Sequence, residues 1–442
     1  MIFTIIVSKL TAKLLRFFNK GATTLPGRVA LFLKYNILNR LSRGVRIICV
    51  TGTNGKTTSC ALLEHALNKL GKSYFINKSG ANMLSGVATA FLMNCSIFGR
   101  CKKEYAILEC DENSLPEISR YLDAVIVAVT NIFRDQLDRY GELDGAFNSI
   151  ISGINNMPKA LLVLNADCPI TYSLSEKCEN DVYTFGVNAD CIQSAVSDSR
   201  FCPICGGELE YKSRVYAQLG DFFCPVCAYK RVYPELCISD IRESDGGYGF
   251  IINQMSDATP ASTMLGGFYN IYNFACAAAV LSSLGIYKNG LLDDFSGAFG
   301  RMERFYCCEN EILLMLVKNP VGFSNCICYA AKLEDKYNLV FALNDNEADG
   351  CDVSWIWDTS FSLLEGRTGK VFTIGRRSYD MALRLKYDGI ITDFAINGED
   401  YNLLVKEIKN ENRDFIIFAN YTSMMNMRKF LIEAFGGKEF WE

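Results

Sequence analysis

A chain of 442 residues, half of them apolar, can bury two or three separate cores, so a multidomain globular protein is expected. Its 45 Lys and Arg stand against 49 Asp and Glu, a net charge of -4, with no dense basic stripe of the kind that tracks a phosphate backbone, which excludes nucleic acid as a partner. The 19 cysteines are scattered through apolar segments such as Ile107-Leu108-Glu109-Cys110 and Asn325-Cys326-Ile327-Cys328, a pattern of reduced thiols in the cytoplasm rather than of a disulfide scaffold.

The N-terminus, Met1 to Val7, is apolar and gives way to Lys9, Lys13 and Arg16 with no small-residue cleavage site. It is too short to span a bilayer. From Ile5 to Phe18, Lys and Arg alternate with Leu and Phe at roughly helical spacing, which fits a helix packed on its own domain better than contact with a membrane surface.

The β-branched run Arg46-Ile47-Ile48-Cys49-Val50 stops at Thr51-Gly52-Thr53-Asn54-Gly55-Lys56-Thr57-Thr58, and Ser59 to Leu70 continues with apolar residues at helical spacing. This is strand, glycine loop, helix. Tyr105–Leu108, Ala124–Val129 and Ala160–Leu164 read as further buried strands between helix-length segments, predicting a mainly parallel sheet wrapped by helices, with ligands at the carboxyl ends of the strands. In the loop, Gly55 lets the backbone approach phosphates, and the helix N-terminus supplies positive potential. Lys56 would reach the terminal phosphates of ATP and Thr57 would bind magnesium. The pattern G-x-x-x-x-G-K-[ST] is not literally met, since Val50 stands at its first glycine.

Cys202-Pro203-Ile204-Cys205 and Cys224-Pro225-Val226-Cys227 are two C-P-x-C knuckles separated by 18 residues. Four thiolates at this spacing suit a closed tetrahedral zinc site, structural rather than catalytic because no position remains for water. Gly206-Gly207 and Asp221-Phe222-Phe223 fit the turns and strand of a zinc ribbon.

The loop Thr51–Thr58 has the form found in Mur ligases and folylpolyglutamate synthases, and four more segments extend the resemblance to the Mur ligase superfamily. Glu109 matches the family's magnesium-binding glutamate. Thr130-Asn131-Ile132-Phe133-Arg134-Asp135-Gln136-Leu137-Asp138-Arg139-Tyr140-Gly141 resembles T-N-x-x-x-D-H-x-D-R-Y, with Gln136 at the histidine, where an amide is a weaker ligand for a second metal. Leu265–Ala275 resembles G-x-H-N-x-x-N-x-x-A, which implies nucleotide contact from Asn270 and Asn273, with Tyr269 at the usual histidine. Gly300-Arg301-Met302-Glu303 matches the G-R-x-E linker and makes Arg301 a phosphate-contact candidate. Helix capping and surface charge are the structural alternatives for Asp135, Asp138 and the asparagines.

Within the superfamily, Asn344-Asp345-Asn346-Glu347-Ala348-Asp349-Gly350-Cys351-Asp352-Val353-Ser354-Trp355-Ile356-Trp357-Asp358 resembles the N-D-x-x-A-D-G-x-D-x-S-W-I-W-D segment of the MurT family, the synthetase subunits of lipid II isoglutaminyl synthases. The Mur motif D-x-A-H-N-P is replaced by Met315-Leu316-Val317-Lys318-Asn319-Pro320. The resemblance, from about Arg46 to the end, implies an α/β protein: an N-terminal helical segment over 1–43, a Mur ligase-like P-loop ATPase domain over 44–300 with a four-cysteine zinc ribbon inserted at 200–232, and a C-terminal α/β domain over 301–442. It also implies ATP-dependent amidation of the D-glutamate α-carboxylate of the lipid II stem peptide through an acyl phosphate, with Lys56 and magnesium stabilising the transferred charge, in the cytoplasm, with the inner face of the membrane as a candidate station.

Ammonia would come from a GatD-like glutamine amidotransferase subunit. The only histidine in the chain is His65, on the helix after the loop, so no cysteine here has a base with which to hydrolyse glutamine. Asp349, with Asp352 as second choice, would orient the partner's histidine, and Trp355 and Trp357 would anchor the interface. The structural alternative is that both aspartates cap turns. Two other functions remain in play: a Mur or folylpolyglutamate-type ligase adding an amino acid to a precursor, and a non-enzymatic nucleotide switch with a zinc interaction module.

Overall fold

The computed structural model describes all residues except 19–21, 78–80, 134–142, 190–199, 245–246, 256, 296, 298–300, 334–336 and 437–442, and omits the side chains of Leu143 and Arg301. Two α/β units follow one another along the chain. The first is a sheet of nine strands: β1 (Arg46–Thr51), β2 (Tyr74–Ile76), β3 (Tyr105–Glu109), β4 (Ile126–Val129), β5 (Leu161–Asn165) and β6 (Val182–Val187), then, beyond the hairpin of β7 (Glu210–Tyr216) and β8 (Leu219–Phe223), β9 (Leu236–Ser244), β10 (Gly247–Gln254) and β11 (Asp257–Thr263). The spatial order is β11-β10-β9-β6-β5-β4-β1-β3-β2. From β2 to β9 all pairs are parallel, as the buried Ile/Val runs predict. The antiparallel extension β9-β10-β11 is an addition that the sequence reading did not contain.

β1 lies between β3 and β4, and the direction of winding reverses there, so the loop after β1 opens into the crevice of a topological switch point. Because all three strands are parallel, their carboxyl ends bring the glycine loop, Glu109 and Asn131 to one edge.

The second unit has six strands: β12 (Arg301–Cys307), β13 (Asn310–Leu316), β14 (Asn338–Ala342), β15 (Val371–Gly375), β16 (Phe394–Asn397) and β17 (Phe415–Ala419), in the order β12-β13-β17-β14-β15-β16. Only the β12-β13 pair is antiparallel. Its two faces carry separate cores, one around Phe323, Phe341, Phe361 and Phe418, the other around Phe372, Phe415 and the final helix Tyr421–Phe435.

The N-terminal helices Ile2–Phe17 and Leu25–Leu33 pack on the first unit, where Ile5 and Ala30 join its core. The β7-β8 hairpin and the two cysteine knuckles form a small body with its own core of Leu209, Phe222 and Tyr229. That body is tied down firmly. Tyr229 donates to Pro169 O at 2.7 Å, and Arg231 pairs at 2.6 Å with Asp167, a fully buried carboxylate that also accepts from Tyr272 at 2.8 Å.

Candidate active site

Two glycines make the loop. Gly52 has φ +117° and Gly55 φ +89°, and a Cβ at Gly55 would lie 2.0 Å from Asn273 Oδ1, so only glycine lets the loop lie this close to the wall behind it. The segment after β4 holds the loop from the other side. Asn131 accepts from Asn54 N at 3.0 Å and returns a 3.0 Å bond to Asn54 O, while the Thr53 hydroxyl bridges to Phe133 O (3.1 Å) and N (3.0 Å). Thr53 and Asn131 therefore act on loop shape. Thr58 is buried in the first turn of the helix Lys56–Lys69, whose N-terminus has no side-chain cap, leaving its N–H groups for an anion.

Lys56 departs from expectation. Its role implied an outward-facing ammonium, but it is buried, donating to Glu112 Oε1 at 2.6 Å and to Gly52 O. Burial works against its charge, yet the carboxylates of Glu112, Asp111 and Glu109 outweigh burial and raise its pKa above the ordinary lysine value. Thr57 Oγ1 donates to Glu109 Oε2 at 2.9 Å. Glu109 is itself positioned by Asn77, which accepts from its N and donates to its O, each at 2.8 Å. A hydroxyl and a carboxylate side by side at a phosphate loop are the hard oxygen donors that suit magnesium.

The second unit closes over this edge. Asn319, N-cap of the helix Pro320–Lys332, donates to Asn54 Oδ1 at 3.0 Å and so ties that helix to the phosphate loop. The cleft between the units is lined by Asn54, Gly55, Asn131, Asn273, Tyr216 and Lys318, among others. Asn273 is in its wall, whereas Asn270 stands behind, donating to Gly266 O at 2.7 Å and accepting from Asn273 at 2.8 Å. Tyr216, Lys318, Glu112 and Asn319 were missed as site residues. Tyr216 arrives on the β7-β8 hairpin and packs edge-on against Tyr272 at 5.4 Å. Asp135, Gln136, Asp138 and the Arg301 side chain lie outside the described residues, and Glu303 of the linker pairs with Arg428 at 2.8 Å.

Cys202, Cys205, Cys224 and Cys227 converge, all four Sγ atoms within 4.8 Å of one another, with Cys202–Cys227 at 3.6 Å and Cys205–Cys224 at 3.5 Å. A tetrahedron with metal–sulfur bonds of about 2.3 Å has edges of about 3.8 Å, so the cluster is close to the size for one ion. The Cys227 N–H directed at Cys224 brings that thiol down to about 7, whereas burial pushes the Cys202 thiol up.

In the second unit, Asp349 is buried and accepts from Thr422 N at 2.7 Å and from the Thr422 hydroxyl, in the first turn of the final helix. Asp352 is half-buried and accepts from Ser354 N at 2.8 Å. The two tryptophans part company. Trp355 is buried against Phe323 at 6.1 Å and belongs to the core, which corrects its reading as an interface anchor; Trp357 is exposed beside Tyr387. His65 lies on the loop's helix and meets Asp294 at 2.9 Å.

The fold and its loop define a class, the Mur ligases: residues 50–218 match the family model described as Mur ligase middle domain. The fold is shared, at a TM-score of 0.69 and 21% identity, with a pseudomurein peptide ligase type C from Methanothermus fervidus, over 88% of this chain and 78% of that one. Residues 316–424 match the MurT ligase C-terminal model. The chain is 34% identical over 418 residues, 92% of each protein, to the MurT subunit of lipid II isoglutaminyl synthase (glutamine-hydrolyzing) of Streptococcus pneumoniae (strain ATCC BAA-255 / R6), and 33% identical over 440 residues, 98% of each, to that of Staphylococcus aureus (strain COL). It belongs to the MurT family.

Proposed function

We propose that this chain is the synthetase half of a two-subunit enzyme that amidates the D-glutamate α-carboxylate of the lipid II stem peptide to D-isoglutamine, in the cytoplasm at the inner face of the membrane. The observation that carries the reading is the junction of a Mur-type phosphate loop, with Lys56, Thr57 and Glu109 gathered at it, to a MurT-type C-terminal domain that lacks the aspartate and histidine of D-x-A-H-N-P.

A carboxylate does not accept ammonia, because its leaving group would be oxide. Transfer of the γ-phosphoryl group of ATP to a carboxylate oxygen gives an acyl phosphate and ADP; ammonia attacks the carbonyl carbon, loses a proton and expels phosphate. The loop N–H groups and Lys56 would neutralise charge on the moving group, and Arg301 is a further candidate for phosphate contact. Thr57 and Glu109 would hold magnesium, which would supply positive charge beside the phosphates. Asn131 and Asn273 would border the nucleotide, with Asn270 orienting Asn273. Phosphate release with lipid II and ATP should require ammonium; stimulation by a free amino acid instead would favour an amino acid ligase, and none under any condition a nucleotide switch.

Tyr216 would pack on the base in this arrangement. Tyr216→Ala is expected to raise KM for ATP about tenfold with kcat little changed, as loss of one aromatic–base contact does. An unchanged KM in a variant that melts normally would remove Tyr216 from nucleotide binding.

The four cysteines would hold one structural zinc. Elemental analysis should find about one zinc per chain, and Cys205→Ser should lower both zinc content and the resistance of the β7-β8 body to proteolysis, since ligation is coupled to local folding. A metal-free chain with an intact ribbon would overturn this assignment.

Ammonia would come from a GatD-like glutamine amidotransferase subunit, since His65, the chain's only histidine, is held by Asp294. Asp349 is our choice to orient that partner's imidazole, with Asp352 second. A carboxylate that orients must itself be held, and Thr422 holds Asp349 through a backbone N–H and a hydroxyl.

A further inference from the structure

The N-terminal helix Ile2–Phe17 is built the wrong way round for water. Its buried stripe is Thr4, Ile5, Ser8 and Ala12, while Phe3 (70% exposed), Leu10 (59%) and Phe17 (81%) project outward together with Ile6 and Leu14. Positions 3, 6, 10, 14 and 17 follow the three-and-four spacing of one helix face, so these side chains form a single stripe. The helix packed beside it, Leu25–Leu33, adds Phe32 (91% exposed), and Tyr35 follows just beyond its end. Exposed Ile97 and Phe98 extend the apolar surface near the start of the first helix, because a Cβ on the next residue, Gly99, would lie 3.0 Å from Met1 Cε.

Charge says what covers this face. Residues 1–46 carry nine Lys and Arg and no Asp or Glu, in a chain whose net charge is -4. Lys13, Arg16 and Arg28 are exposed, and Arg40, Arg43 and Arg100 line one open cleft with Phe98. A second copy of the chain would bring these cations against their own counterparts, an unfavourable pairing. An anionic surface with an apolar interior satisfies both halves of the pattern at once. No helix among the described residues is long and apolar enough to cross a membrane, so such contact would lie in the plane of the surface.

We infer that the two N-terminal helices dock the chain on an anionic phospholipid bilayer, with Phe3, Leu10, Leu14, Phe17 and Phe32 entering the headgroup–acyl boundary and the surrounding Lys and Arg meeting lipid phosphates. This deepens the proposed function by giving the ligase a way to reach a lipid-borne substrate, but it rests on the exposed face and charge alone. Docking restricts the search for substrate to the membrane plane.

The test is flotation of the full chain, alone and with its partner, on vesicles of phosphatidylglycerol and phosphatidylcholine or of phosphatidylcholine only, at low and high salt, without ATP or lipid II. Binding should be at least about tenfold stronger to the anionic vesicles and weaken with salt. The double variant Leu10→Glu with Phe17→Glu should lose it while keeping its melting temperature and its phosphate release with a water-soluble stem-peptide substrate; Phe32→Ser should weaken it on its own. Failure of the unmodified chain to float, equal flotation of the double variant, or a dimer in solution that the double variant abolishes would each overturn the inference. Because no activity is read in the flotation, these results leave the ligase reading standing, and a failed ligase assay leaves them standing in turn.

Discussion

Alanine in place of Lys56 is expected to abolish ATP-dependent phosphate release and also to destabilise the chain by about 3–5 kcal/mol. The first effect follows from the loop, whose lysine would meet the charge that develops on the transferred phosphoryl group. The second follows from burial. Lys56 sits 2.6 Å from Glu112 with neither side chain appreciably exposed, so its removal leaves a buried carboxylate without its ion-pair partner and with Lys318 as a cation still acting on it. Read from the motif alone, the same substitution would have spared the fold. The two effects separate in the pair Lys56→Met with Glu112→Gln, which takes out both charges and should recover most of the lost melting temperature while remaining inactive. Calorimetry and a phosphate assay on the three proteins check this. Normal turnover by Lys56→Ala would remove the loop from the chemistry, and an unchanged melting temperature would deny the energetic weight given to the ion pair.

Asp349→Asn in the assembled complex is expected to cut glutamine-driven amidation by about four orders of magnitude, the loss seen when the carboxylate that orients a catalytic histidine becomes an amide. Ammonium-driven amidation should stay within a small factor of the original, because the ATP site is untouched. Asparagine keeps an acceptor for the Thr422 N–H, so the final helix retains its contact and stability should change little. Equal loss with both nitrogen sources would assign Asp349 a role in the ligase half itself. In that event Asp352, which accepts from Ser354 N, becomes the candidate to test in the same way.

How far the sequence carried these assignments depended on whether a feature was local. The glycine loop, Glu109 at the end of a strand and the four cysteines were legible because each is a short pattern whose chemistry needs those residues at that spacing, and the fold brings Thr57 to Glu109 and the four thiols together. The parallel sheet was legible in its runs of Ile and Val. Long-range contacts were not. Nothing near Asn319 announces that it reaches across 265 positions to Asn54, and nothing near Tyr216 shows that a hairpin beside the cysteine knuckles ends at the cleft between the two units. Burial was misjudged where charge and hydrophobicity usually decide it: Lys56 is inside because Glu112 is there to meet it, and Trp355 is inside because Phe323 offers a ring to pack on. In the first helix, the mixture of Lys, Arg, Leu and Phe predicted a helix packed on its domain, and Ile5 does pack there. Composition alone could not say that small residues would take the inner face and leave the large apolar ones outside.

That the chain amidates lipid II yet depends on another subunit for ammonia is put to its sharpest test by mass spectrometry of lipid II incubated with the isolated chain, magnesium and ATP, supplied with either ammonium or glutamine. D-isoglutamine should form with ammonium and not with glutamine, and the glutamine reaction should appear once the amidotransferase subunit is added. Amidation by the isolated chain from glutamine, or no amidation from ammonium by a well-folded chain, would contradict it.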